Sequence, residues 1–158
     1  MVSKNFPRRV WDFGIKYAAK FIHIIPSAKL NGRTPIEAVT EEKPDILEYV
    51  DFDFYYLVWY HTGKDPIVSK EHGALGRWMG VARRLVSDML YWIIPIYGQT
   101  IAETTSQHVT CEDMLDPDIA LQIKAFDRAL TERLDNANFI INDFDGFGIK
   151  DEGSDMPQ

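Results

Sequence analysis

Cysteine is nearly absent: Cys111 stands alone among 158 residues. One thiol cannot close an internal disulfide, so the chain neither needs nor signals an oxidising compartment. Long apolar runs are missing too. The densest stretch, Tyr91 to Tyr97, is strand-sized and carries Pro95, well short of a membrane span. The N-terminus holds Lys4, Arg8 and Arg9 with no signal-peptide apolar core before them. These absences predict an intracellular protein, of the cytoplasm or nucleus, with no membrane partner.

Metal-ligand patterns are sparse. The four histidines, His23, His61, His72 and His108, are scattered. His108 and Cys111 lie three apart, but no second pair completes the four ligands of a zinc site. The tail run Asp143-Phe144-Asp145-Gly146-Phe147-Gly148 starts like a calcium loop. It then places Phe147 where an oxygen ligand belongs, and Ser154 where the bidentate glutamate belongs. Gly73, Gly76 and Gly80 fit neither the dinucleotide nor the P-loop spacing, and suit bends or close backbone approach better. Cys111 is followed by Glu112 and Asp113, whose charges oppose a reactive thiolate. Asp12 and Glu48 share a spacing with two integrase acids. Asp12, however, falls in an amphipathic helix with no strand-borne acid before it, so the spacing reads as coincidence. The sequence nominates no catalytic residue, no metal ligand, no cofactor and no small-molecule partner.

What is present supports a folded core. Apolar residues make up 46% of the chain, which argues against wholesale disorder. Charge is unevenly placed. Residues 1–110 hold 13 Lys/Arg against 12 Asp/Glu, a balance of +1, and residues 111–158 hold 4 against 12, a balance of −8. The first two-thirds are nearly neutral, which neither excludes phosphate contact nor marks it strongly.

Arg8 to Ile25 predicts a helix. Trp11, Ile15, Ala18, Ile22 and Ile25 recur at spacings of 4, 3, 4 and 3 and share one face, and Pro26 ends the helix. Thr34 is set to cap a second helix, with Pro35 at its first position and Glu37 placed to close a capping box. Pro44 stops it, and Asp45 is a further cap for a turn over residues 46–50. Phe52 to His61 is dense in aromatic and β-branched residues and predicts a strand. Leu75 to Ala82, Leu90 to Ile96 and Thr100 to Val109 predict three more, with turns at Gly63-Lys64-Asp65-Pro66 and Tyr97-Gly98-Gln99. Short strands this close together suggest a small antiparallel barrel or meander. Asp116-Pro117 repeats the cap-then-proline pattern. It opens a helix with Ile119, Ile123, Phe126, Leu130 and Leu134 on one face. Residues beyond Asn136 read as an acidic tail.

Basic residues gather in the strand-rich part: Lys64, Lys70, Arg77, Arg83 and Arg84, near Trp59, Tyr60 and Trp78. A basic strand surface with exposed aromatics is how small barrels hold single strands. The five cations are therefore the candidate nucleic-acid contacts. The two tryptophans read more readily as core than as stacking platforms.

The helix with Trp11 and Ala18-Ala19, the Gly32-x-Thr34-Pro35-x-Glu37 signature and Lys43-Pro44 resemble a segment of Copia-type retrotransposon polyproteins, those of diatoms and related algae in particular. That segment follows the integrase catalytic acids. Residues 52–110 resemble the Src-homology-3-like barrel that comes next, through Tyr55 to Tyr60, Leu75-Gly76-Arg77 with Gly80, Gly98, and Thr104-Thr105 with Val109-Thr110. Residues 118–134 resemble the continuation toward the reverse transcriptase. The resemblance implies a non-catalytic polyprotein fragment, since the family's Asp-Asp-Glu triad lies upstream of the matched part. The parent role is DNA integration, with the barrel serving nucleic-acid contact or integrase assembly. A protein-interaction module or a functionless remnant is the alternative. Candidate partners are DNA or RNA, and integrase copies or the chain itself. The expected fold is α+β: a helical segment at 1–50, a small antiparallel barrel at 51–111, a C-terminal helix at 112–135, and a flexible acidic tail at 136–158.

Overall fold

The structure, a computed structural model, describes residues 7–44, 46, 52–61, 73–82 and 90–141. A 3-10 turn at Arg8–Val10 runs into helix α1, Trp11–Ile24. Ile25 turns extended at ψ 130°, as the residue before Pro26 must. Helix α2, Pro35–Thr40, has the predicted cap: Glu37 N–H donates to the Thr34 hydroxyl at 3.1 Å, and the Glu37 carboxylate accepts from Thr34 N–H at 3.4 Å. It ends at Glu41, whose φ of 62° breaks the helical path before Pro44 is reached. Of the expected turn over residues 46–50, residues 47–50 and the capping Asp45 lie outside the described residues.

Five strands follow: β1 Leu57–His61, β2 Gly73–Ala82, β3 Leu90–Pro95, β4 Ile101–Glu103 and β5 Ser106–His108. They form one antiparallel sheet in the order β4-β3-β2-β1-β5. The strand expected from Phe52 starts five residues late. Tyr55 takes a left-handed φ of 62° and donates its N–H to Trp78 O at 2.7 Å, which turns the chain before the ladder begins. The strand expected over 100–109 is two strands. Ile101–Glu103 pairs with β3 and Ser106–His108 with β1, and Thr104-Thr105 is the corner between them. Two linking residues hold the ends of these outer strands within about 10 Å, so the sheet must curl. No ladder among the described residues joins β4 to β5, and the expected barrel is not closed. Helices α3, Cys111–Leu115, and α4, Pro117–Asp135, complete the α+β fold. Thr110 and Asp113 make a capping box on α3, and Asp116 caps α4 by accepting from Asp118 N–H at 3.0 Å.

Alternation along the strands sends side chains into two cores. Leu57, Trp59, Met79 and Ile94 face a cluster completed by Val10 and Phe13 from the N-terminal helix and Ile119, Phe126, Leu130 and Leu134 from α4. Val58, Tyr60, Trp78, Val81 and Ile93 face a second cluster with Phe52 and Ile24. Trp78 and Met79 point oppositely, yet Val81 returns to the side of Trp78. A bulge explains this: Trp78 opposes Ile93 and Gly80 opposes Trp92, leaving Met79 as the inserted residue. Gly80 sits at φ 131°, where a side chain would be strained. Gly76 serves close approach, since a Cβ there would lie 2.4 Å from Ile93 Cγ2.

Candidate interaction surfaces

Of the five predicted cations, Arg77 falls within the described residues; Lys64, Lys70, Arg83 and Arg84 do not. The β2 strand carries Arg77 to the side of the sheet facing α4. Its Nη2 donates to both oxygens of Asp127, at 2.6 and 2.7 Å, and Nε donates to Oδ1 at 3.2 Å. Nη1 donates to Tyr55 O at 3.1 Å, and the guanidinium carbon lies 4.9 Å from the Tyr55 ring centroid. Only 17% of the Arg77 side chain reaches solvent. The guanidinium therefore binds strand to helix, and little of it is presented to a phosphate. Burial pushes the Tyr55 hydroxyl up to about 12, with the Arg77 charge opposing and Asp127 adding to the rise.

Trp59, Tyr60 and Trp78 are buried, so none offers a face to a base. The indole N–H groups of Trp59 and Trp78 have no hydrogen-bond partner among the described residues. Each such group costs about 1–3 kcal/mol, a penalty carried by the large apolar burial around it. Tyr60 is also raised to about 12, by burial first and then by Tyr97 and Glu103. His108 stacks on Phe52 at 4.2 Å and meets Tyr56 edge-on at 5.4 Å, while Cys111 is exposed. Among the described residues, no three His, Cys, Asp or Glu side chains converge as metal ligands would.

Among the described residues, α1 carries a row of unburied apolar side chains. The predicted row is a real face, and it points outward. Trp11 is 59% exposed, Ile15 62%, Ile22 63% and Ile25 44%, with Ala18 also exposed between them. The opposite side is the packed one. Val10, Phe13 and Ile24 are buried, and Tyr17 stacks on Phe54 at 5.3 Å and meets Trp78 edge-on at 5.6 Å. Gly14 admits Phe54, whose ring would lie 3.3 Å from an added Cβ. The helix thus has two apolar stripes, and the described residues cover one.

The start of the expected tail is packed chain. Arg9 donates to the carbonyls of Phe139 and Ala137, the latter at 3.0 Å, and Gln99 Nε2 donates to Ile140 O at 2.7 Å. Phe139 lies over Gly98. Between α1 and this strap runs an open cleft of about 730 Å³, lined by Arg9, Asp12, Ile15, Lys16 and Ile140 among others. A smaller groove of about 290 Å³ lies where Tyr56 and Arg77 meet Met114, Ile123 and Lys124. Sequence reasoning passed over the strap, because its anchors, Arg9 and Gln99, are remote from it in the chain. The rest of the tail, 142–158, lies outside the described residues. Among the described residues, no helix is long and apolar enough to cross a membrane.

Comparison of the chain with protein-family models, with curated proteins and with solved structures gave no match.

Proposed function

We propose that this chain is a non-catalytic segment of a Copia-type retrotransposon polyprotein and that it acts by protein contact in assembly of the integration machinery. The sheet is read as an open form of the Src-homology-3-like barrel. Its order supports this: a β1-to-β4 meander with β5 returning to pair with β1. The contact role rests on the outward apolar row of α1. Trp11, Ile15 and Ile22 are large side chains more than half exposed and aligned on a helix packed from behind, a pattern characteristic of surfaces that another protein covers.

Nucleic-acid contact is the weaker of the two roles. Arg77 is committed to Asp127 and the aromatics are interior. Lys64 and Lys70 precede β2 in the chain and Arg83 and Arg84 follow it. Those four cations lie outside the described residues.

Fluorescence anisotropy with short labelled DNA at two salt concentrations tests the choice of role. Assembly predicts weak binding in both. Tight binding at low salt that falls steeply at high salt and is lost in Arg83→Ala/Arg84→Ala would replace assembly with DNA contact. Parentage is tested by the DNA flanking the gene. An Asp-Asp-Glu integrase frame upstream or a reverse transcriptase downstream is expected, and unrelated flanking genes on both sides would count against it.

A further inference from the structure

We infer that the strap after α4 is an intramolecular ligand, and that the groove it fills takes an extended aromatic-x-aliphatic segment of a partner protein when the strap lets go. This is a second contact surface, distinct from the outward row of α1.

The strap begins where α4 ends. Asn136 N–H donates to Arg133 O at 3.3 Å, and Phe139 N–H donates to Asn136 O at 3.0 Å. Beyond this turn, side chains hold the backbone. Arg9 Nη1 donates to Phe139 O, Arg9 Nη2 donates to Ala137 O at 3.0 Å, and Gln99 Nε2 donates to Ile140 O at 2.7 Å. Every residue carries a carbonyl, so donors aimed at carbonyls hold an extended chain whatever its side chains. The two bonds from Arg9 are charge-assisted and the stronger kind.

Selectivity comes from the ring. Phe139 lies across Gly98, where an added Cβ would come 2.9 Å from the ring. Gly98 also sits at φ 81°, so the turn and the space for the ring both call for glycine. Phe139 and Ile141 pack against the core that includes Leu130 and Leu134, while Ile140 between them is 79% exposed. The groove therefore reads the first and third positions and leaves the middle one open. The segment already seated there shows the chemistry that fits.

The strap is suited to release. It lies outside every helix and strand, and Asn136, Ala137 and Asn138 are exposed. Segments with few buried contacts open at lower cost than the core. Tethering keeps the strap at an effective concentration on the order of millimolar, so it masks the groove until a partner outcompetes it.

A fluorescent hexapeptide copying residues 136–141, titrated with the full chain and with Phe139→Ala, tests this by anisotropy. Phe139→Ala removes the strap's anchor and is expected to bind the peptide at least about tenfold more tightly than the wild type. The same peptide with alanine for phenylalanine is expected to bind neither protein. No binding to a Phe139→Ala chain that is folded by circular dichroism, or equal binding of the two peptides, would overturn the inference. Hydrogen exchange on the wild type tests release without any substitution. The Phe139 amide is expected to exchange at least about a hundredfold faster than the Leu130 amide of α4. Equal rates would mean that the strap opens only when the whole domain unfolds, and would overturn it too. Failure here leaves the α1 row untouched, because dye binding reads that row separately.

Discussion

Arg77 on β2 and Asp127 on α4 are joined by a two-oxygen contact at 2.6 and 2.7 Å across fifty residues of sequence. Arg77 is mostly enclosed and Asp127 is 40% exposed, so water weakens the pair without dissolving it. In a double-mutant cycle of Arg77→Ala and Asp127→Ala, a coupling of about 1 kcal/mol is expected from denaturant unfolding. Arg77→Lys should recover less than half of that, because an ammonium cannot reproduce the planar fork. A coupling near zero would mean that the contact fastens nothing.

Gly76→Ala should destabilise by about 1–3 kcal/mol through overpacking against Ile93. Combining it with Ile93→Ala should cost less than the sum of the two single changes, because the methyl enters the space that Ile93 leaves. Additive costs would place the strain elsewhere, in the backbone of β2.

Thr34→Ala removes the hydroxyl that accepts from Glu37 N–H and should cost about 1 kcal/mol. Thr34→Ser should be close to neutral. Neither change should alter the oligomeric state, since the signature at Thr34-Pro35-x-Glu37 acts here as a helix start. A shift in sedimentation with Thr34→Ala would give it a second role.

Alkaline pH should unfold the chain through its buried tyrosines. Burial favours the neutral hydroxyl of Tyr55 and holds its folded pKa near 12, against about 10 in the unfolded chain. Below pH 9 both states are neutral and stability does not respond. Between pH 10 and 12 the unfolded state ionises first, and stability falls by up to about 1.4 kcal/mol per pH unit from Tyr55. Tyr60 adds in the same direction. Urea midpoints measured from pH 8 to 11.5 should decline above 10, and Tyr55→Phe should flatten the decline. A flat wild-type profile would contradict the burial of both hydroxyls.

Local signals carried much of this fold. Pro26, the Thr34 box and Asp116-Pro117 fixed helix boundaries, because capping is decided within four residues. The face Ile119, Phe126, Leu130 and Leu134 is buried as its periodicity predicts. What escaped was decided by distant partners. The turn at Tyr55 answers to Trp78, the break at Thr104-Thr105 to a choice between β3 and β1, and the Met79 bulge to the register of β3. Arg77 looked like a free cation because Asp127 is fifty residues away. On α1 the cleaner 3-4 pattern marked Trp11, Ile15, Ala18, Ile22 and Ile25. Periodicity identifies an apolar face without saying whether the same chain covers it, and here the core took the less regular stripe of Val10, Phe13, Tyr17 and Ile24.

The most direct test of the contact role is the binding of an apolar dye to the wild-type chain and to Ile15→Glu, since that role rests on the open row of α1. The account predicts dye fluorescence on the wild-type chain that falls clearly in Ile15→Glu, with the circular dichroism spectrum unchanged. No fluorescence on the wild type, or equal fluorescence on both, would contradict it.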